Sequence, residues 1–326
     1  MIALVTGATG FIGSHLVEAL LQKGLTVRAL TRKTSNLRWL KDLRIERVFS
    51  DLRDSDFPRD ALREVDYIFH GAGIIEGISR RNYFEANCEG TRRLLEAAAR
   101  TSPNLKKFIF ISSQAAGGPS HGEKGVREED PPHPVSFYGE SKLAAEKAVL
   151  DFKNRFPTVI LRPPTIYGPR ETRVYKVFQM MQRGFALAPG FKSKRISFCY
   201  VNDLIEALLL AAFKPQESGR IYNVAGENPI EWIELVETVS QALRKSYRLF
   251  RIPAPVLLLF GAGGEVVSRL AGRPTLFTWQ KVKEFVQNSW VIDGARIRQE
   301  LDWQEKTALT EGISKTAAWY RREGWL

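Results

Sequence analysis

Tyr138 and Lys142, in the run FYGESK, stand one helical turn apart, a spacing that puts both side chains on the same face. A phenol with a pKa near ~10 is a poor base at neutral pH, but an adjacent ammonium favours the phenolate and lowers that value. The pair could then exchange a proton with a substrate oxygen while hydride moves at the carbon beside it. Ser113, the second residue of a double serine, offers a hydroxyl to hold the same oxygen. Taken alone, Y-x-x-x-K also describes a surface helix whose lysine stem packs on a ring. Its chemical meaning comes from the double serine and from the glycines near the start of the chain.

Those glycines are Gly7, Gly10 and Gly13 in ALVTGATGFIG, where an apolar strand-like run meets a turn. Glycine lets the backbone turn sharply and approach a ligand closely, and the amphipathic run 14–22 then presents a helix N-terminus to it. That arrangement suits a pyrophosphate. The spacing is G-x-x-G-x-x-G rather than G-x-G-x-x-G, but a second strand at 26–31 completes a strand, helix, strand unit of about the expected ~30 residues.

An acidic residue at the exit of that second strand would bind a ribose hydroxyl in an NAD enzyme; Arg32 and Lys33 stand there instead, with Arg38 nearby. Cationic side chains suit a 2′-phosphate, so NADP(H) is the preferred cofactor, with NAD(H) possible. Further strands are expected at 45–50, ending at Asp51-Leu52, at 67–70, ending at Gly71-Ala72-Gly73, and at 108–111, ending at Ser112-Ser113. Helices are expected at 83–99, with Asn87 near the start, and at 137–155. Strands alternating with helices predict an α/β fold built on a doubly wound parallel sheet of Rossmann type. Ligands of such sheets sit at the carboxyl ends of the strands, where Asp51, Leu52, Gly71, Ala72 and Gly73 border the cofactor. The proline- and glycine-rich segment 114–134 reads as a functional loop, and His121 within it as solvent-exposed.

The 326 residues can bury a sizeable core, and the apolar and charged fractions, 44% and 26%, are those of a globular protein. The net charge of +12 is large, but the basic pairs are scattered and lack interleaved stacking aromatics, which argues against a nucleic-acid partner. Cys88, Cys199 and four dispersed histidines support neither a disulfide framework nor a metal site. A first strand at Ile2 leaves no room for a signal peptide, and the apolar run 255–264 is too short to span a bilayer, so a cytoplasmic location without an integral membrane segment is expected.

Together TGATGFIG, SSQ and YGESK, with NCEGTRRLLEAA, LRPPTIYGPR, FCYVNDLIEALLLA, IYNVAGE and LDWQEKTALTEGISKTAAWYR in that order, resemble the extended short-chain dehydrogenase/reductase family, also called the NAD-dependent epimerase/dehydratase family. The resemblance implies that Gly7, Thr9, Gly10, Phe11, Ile12 and Gly13 hold the pyrophosphate and that Asp51 and Leu52 flank the adenine. It implies Ser113, Tyr138 and Lys142 as the catalytic trio, Lys142 also bonding the nicotinamide ribose. Asn87 would support the site, and Pro163 to Ile166 would pass the carboxamide. It further implies a dinucleotide-binding domain of residues 1–167 plus 196–224 and a smaller, mainly substrate-binding part from 168–195 and 225–326. A homodimer through helices 82–100 and 137–155 is expected, with Ala97, Ala98, Ala144, Ala145 and Ala148 permitting close packing.

Departures from the family pattern narrow the chemistry. Gln114 and Ala115 replace the acidic pair of nucleotide-sugar dehydratases, and Pro163-Pro164 replaces an asparagine pattern of many nucleotide-sugar epimerases. The likeness is closer to the dihydroflavonol reductase and 3β-hydroxysteroid dehydrogenase branch, implying hydride transfer between NADP(H) and a ketone or secondary alcohol. The alternatives are a nucleotide-sugar epimerase with tightly bound NAD(P) and a non-catalytic NADP-binding regulator or scaffold. Residues 252–270 are more apolar than a surface helix needs. They could wall an apolar pocket or rest against a membrane carrying the substrate, and a core helix of the small domain is the plainer reading.

Overall fold

The computed structural model describes residues 1–54, 57–121, 124–272 and 278–326. Strand β1 (Ile2–Thr6), helix α1 (Phe11–Gln22) and β2 (Thr26–Thr31) form the opening unit, followed by β3 (Glu46–Phe49) and β4 (Tyr67–His70). Helix α2 (Arg80–Phe84), a π-helical turn at Glu85–Glu89 and α3 (Gly90–Thr101) run on as one rod before β5 (Lys107–Ile111). A short α4 (Gln114–Gly117) and the long α5 (Phe137–Asp151) precede β6 (Thr158–Arg162). Helix α5 thus ends earlier than the sequence suggests, at a cap where Phe152 returns its N–H to Val149.

Then come β7 (Thr165–Tyr167), α6 (Tyr175–Gln182), β8 (Phe185–Pro189), β9 (Arg195–Ile196), β10 (Phe198–Tyr200) and α7 (Val201–Phe213), before β11 (Arg220–Asn223) completes the large sheet. Its seven strands run in the order β11-β6-β5-β4-β1-β2-β3, with every pairing parallel. Helices cover both faces of such a sheet, and β1, β5 and β6 accordingly read as nearly unbroken apolar runs. Lys107 is tolerated inside β5 because its ammonium donates to the carbonyls of Ala211 and Lys214 and to Gln216 Oε1.

The register brings the strand ends level: Thr6 lies beside Leu30 and His70, His70 beside Phe110, and Ile111 beside Leu161. The glycine turn, Gly71 to Gly73 and Ser112-Ser113 therefore leave the same edge of the sheet. Beyond it are β12 (Ile230–Glu231), α8 (Trp232–Leu243), β13 (Arg248–Ile252), α9 (Ala254–Ala271), α10 (Trp279–Phe285), β14 (Ser289–Trp290), α11 (Ala295–Leu301) and α12 (Leu309–Arg322). Strand β13 pairs with β8, and β12 and β14 flank β9. One apolar cluster runs from Leu16 and Val17 of α1 through Leu204 and Leu208 of α7 to Ile313, Ala317 and Tyr320 of α12. Helix α9 is not the core helix of the plainer reading: Leu257, Gly261 and Ser268 are buried in a narrow stripe, while Leu259, Phe260 and Leu270 stand in the open.

Candidate active site

The turn between β1 and α1 has space for backbone only. Gly7 holds φ +72°, and a Cβ there would stand 2.8 Å from the nitrogen of Ala72; one on Gly13 would stand 2.1 Å from the carbonyl oxygen of Gly7. Gly10 closes the turn by donating to the Gly7 carbonyl at 3.0 Å. As N-cap of α1 it brings no side chain to the helix end, and the first turn carries no acid. The positive end of the helix, with Thr9, Phe11 and Ile12 around it, is thus left to an external anion.

At the next strand exits, Arg32 and Lys33 are exposed. Asp51 is gripped by Arg53, with guanidinium nitrogens 3.0 and 2.7 Å from its two carboxylate oxygens. That hydrogen bond, aided by the charge of Arg32, holds the Asp51 carboxyl down at about 2. Leu52 turns its side chain into the second apolar cluster, beside Gly90. Arg38 is engaged elsewhere, its guanidinium 4.0 Å over the Trp39 ring and 5.3 Å over Trp325. Thr31 Oγ1 and Ser50 Oγ, at the ends of β2 and β3, are buried without a hydrogen-bond partner among the described residues.

A buried polar chain fixes the exit of β4. Thr6 and His70 share a hydrogen bond of 2.6 Å, Thr6 Oγ1 accepts from Ala72, and His70 Nε2 pairs with Thr91, which donates to the Asn87 carbonyl. Burial, then the charge of Lys142, holds the His70 imidazole down at about 3, so it is neutral. Asn87 sits in the π-helical turn, a distortion that recurs at functional sites. Its amide accepts from Ile74, donates to the Ile74 carbonyl, and donates to Ser141 on α5. Asn87 thereby ties the loop after Gly73 to the helix that carries Tyr138 and Lys142.

Ser113 caps α4, accepting from Ala115 at 3.2 Å, and its hydroxyl lies near enough to the Tyr138 phenol to act on its titration. Ser136 caps α5 through Gly139 and donates to Glu284 at 2.5 Å, which anchors the first turn bearing Tyr138. Lys142 donates to the Ile111 carbonyl at 2.8 Å with its ammonium 4.1 Å over the Phe110 ring. Pro163 receives the Gln114 N–H, and Ile166 is buried in β7. The structure therefore collects Ser113, Tyr138, Lys142, Asn87 and the glycine turn at one sheet edge. His121 lies outside, exposed and stacked on His133.

One electrostatic expectation is reversed. Burial pushes the Tyr138 phenol above its ordinary value, against the nearby Ser113 hydroxyl and the charge of Arg173, with Glu284 adding to the rise. Lys142 does not pull it down, because its ammonium is turned to the Ile111 carbonyl, and burial brings Lys142 itself down to about 7 against the opposing charge of Glu146. Glu146 continues the i, i+4 row of Tyr138 and Lys142 and meets Arg162 in a buried bidentate pair, at 2.9 and 2.7 Å, while Ser112 donates to it at 2.5 Å. The row was readable in the sequence; the partner on β6 was not. Arg173, Lys281 and Glu284 approach Tyr138 from the segment after β7 and from α10, with Lys281 5.3 Å from the ring centre. Gln114 is buried, its Oε1 without a partner among the described residues.

The parallel sheet, the side-chain-free helix end and the serine, tyrosine and lysine at its edge define a dinucleotide-binding α/β enzyme. Residues 3–225 match the NAD dependent epimerase/dehydratase family, and the chain belongs to it. Among its relatives, ceramide reductase of Caulobacter vibrioides is 29% identical, the match covering 100% of this chain and 96% of that one. Sterol demethylase protein B of Methylococcus capsulatus is 32% identical over the whole of both chains. The Thermus thermophilus UDP-glucose 4-epimerase, solved in complex with NAD, superposes with a TM-score of 0.79 at 26% identity, covering 98% of this chain and 99% of that one. A dinucleotide fits the residues present: the cradle that any Cβ on Gly7 or Gly13 would fill is of the kind a pyrophosphate requires.

Proposed function

We propose that this enzyme transfers hydride between NADP(H) and a ketone or secondary alcohol, with Ser113, Tyr138 and Lys142 as its catalytic residues. The observation that carries the reading is the meeting of Ser113, at the end of β5, with Tyr138 on α5, and Lys142 one turn further along the same helix face. Bound nicotinamide supplies the hydride in reduction and receives it in oxidation. Ser113 holds the substrate oxygen, and Tyr138 gives that oxygen its proton as the carbon is reduced, or takes the proton back from the alcohol. A phenol raised by burial keeps its proton at neutral pH, which suits the acid role in reduction. Lys142, turned to the Ile111 carbonyl rather than to the phenol, bonds the nicotinamide ribose.

In this reading Gly7, Thr9, Gly10, Phe11, Ile12 and Gly13 hold the pyrophosphate, and Arg32 and Lys33 take the 2′-phosphate. Asp51, Leu52 and the Gly71–Gly73 backbone border the nucleoside, Asn87 keeps that loop in place, and Pro163 and Ile166 line the carboxamide. Gln114 supplies an acceptor for a substrate hydroxyl. The names of the two relatives, with ceramide and sterol in them, favour an apolar substrate over a nucleotide sugar. A cytoplasmic homodimer completes the proposal, although Ala97, Ala98, Ala145 and Ala148 are already buried within the protomer, so its interface falls on other residues of α3 and α5.

A second reading, nucleotide-sugar epimerisation with retained cofactor, is favoured by the cations Arg173 and Lys281 beside Tyr138, which suit a diphosphate. Both readings require Tyr138. Tyr138→Phe is expected to lower turnover by ~10²–10⁴-fold while leaving NADPH affinity, followed by nicotinamide fluorescence, unchanged. Turnover retained in that variant removes Tyr138 from its role.

A further inference from the structure

Helix α9 carries an apolar stripe that no part of the described chain covers. Its outward residues Val256, Leu259, Phe260, Val266, Val267 and Leu270 recur at helical spacing and are between 40% and 84% exposed. The opposite stripe packs on α10, where a Cβ on Gly261 would meet Val282 at 2.9 Å. A contiguous exposed face of this kind, along a helix of about 27 Å, is larger than a water-facing surface tolerates without a use.

The charges around it indicate what that use is. Strand β13, which leads into the helix, carries Arg248 and Arg251, both exposed. At the N-terminal end, the chain after β8 is tied to β13 by the bond from Gly190 to the Ile252 carbonyl. There Phe191, 70% exposed, shares one recess with Lys192, Lys194 and Arg251, and with one acid, Glu231. Apolar side chains fringed by cations complement a bilayer with anionic headgroups. The same cations would face each other across a pairing of two copies, which disfavours self-association through this face.

We propose that α9, with Phe191, Lys192 and Arg251, is a membrane-docking surface that lays the enzyme on an anionic bilayer. The helix rests on the membrane and does not cross it, since one side is committed to α10 and no described helix is long and apolar enough to span. Helix α10, directly beneath, carries Lys281 and Glu284 next to Tyr138, so the docked face lies over the candidate site. The surface stands on α9 and its surroundings alone, independent of the chemistry at Tyr138.

The test is flotation of the full chain with vesicles of phosphatidylcholine alone and with phosphatidylglycerol added, without cofactor or substrate. The expected result is binding that strengthens with phosphatidylglycerol and weakens in salt. Leu259→Gln/Val266→Gln, an uncharged change at exposed positions, is expected to weaken it by at least ~10-fold, and Lys192→Gln/Arg251→Gln to remove the preference for anionic lipid. Unchanged thermal unfolding and NADPH binding in both variants show that the fold is intact. Failure of the wild-type chain to float with either vesicle overturns the proposal. So does sedimentation showing a dimer that Leu259→Gln/Val266→Gln converts to monomer, because the face would then belong to a second copy. Vesicle binding by a chain that turns over no ketone or alcohol leaves this surface standing and overturns only the proposed reaction.

Discussion

Arg32 decides more than its exposed position suggests. It stands where an acid would meet a ribose hydroxyl, and its charge already acts on Asp51, whose carboxylate is neutralised by Arg53. Those charges are what the proposed preference for NADP(H) rests on. Arg32→Asp is expected to reverse cofactor preference, lowering NADPH affinity by ~10-fold or more and favouring NADH, because a 2′-phosphate would then meet two carboxylates. Titration of both cofactors checks this, and unchanged NADPH affinity contradicts it. At this scale the sequence was informative about identity and silent about direction. Tyr138, Lys142 and Ser113 were proposed from type and spacing and Asn87 from the family resemblance, but the Lys142 ammonium turning to the Ile111 carbonyl is set by the strand beneath it.

Helix α5 is the element that converts a strand edge into a site. Its row of Tyr138, Lys142 and Glu146 is secured at one end by Ser136 with Glu284 and at the other by Glu146 with Arg162, whose side chains are 2% and 4% exposed. Removing one partner of such a pair leaves an uncompensated buried charge. Glu146→Ala is expected to cost ~3–5 kcal/mol in urea unfolding, and Glu146→Met/Arg162→Met distinctly less. Equal losses would mean the pair does not act as a unit. The glycine turn is constrained by space instead: Gly13→Ala places a methyl 2.1 Å from the Gly7 carbonyl, so it is expected to lower thermal stability and abolish dinucleotide binding together. Normal binding in a folded Gly13→Ala variant would contradict the cradle. Sheet strands were legible because doubly covered strands are unbroken apolar runs. The π-helical turn at Asn87 was not, since α2 and the turn before α3 bury too few apolar residues to fix a period that the extra residue would break.

Across the whole molecule, burial has placed two lysines close to neutrality, Lys142 and Lys194, both brought down to about 7 from an ordinary 10.5. Between those values the unfolded chain binds more protons than the folded one, so each lysine makes stability rise with pH through that window. Below it both states carry the charge and the burial cost stands in full. Unfolding midpoints in urea measured at several pH values are expected to climb from about pH 7 toward 10 more steeply in the wild type than in Lys142→Met, and parallel curves would contradict the assignment. The cations near Tyr138 come from Arg173 and Lys281, far apart in sequence and joined only by tertiary packing, which is why no motif announced them. The apolar excess of 252–270 was plain in the sequence, whereas its exposure depends on how little of α9 meets α10.

Net hydride transfer at Tyr138 is read directly from nicotinamide absorbance. The purified protein is mixed with NADPH or NADP+ and, separately, with apolar ketones or secondary alcohols and with nucleotide sugars. The account predicts a stoichiometric absorbance change with the apolar pool, lost in Tyr138→Phe. No net change in either pool, with a nucleotide sugar nonetheless converted to its stereoisomer, would contradict it and make the enzyme an epimerase.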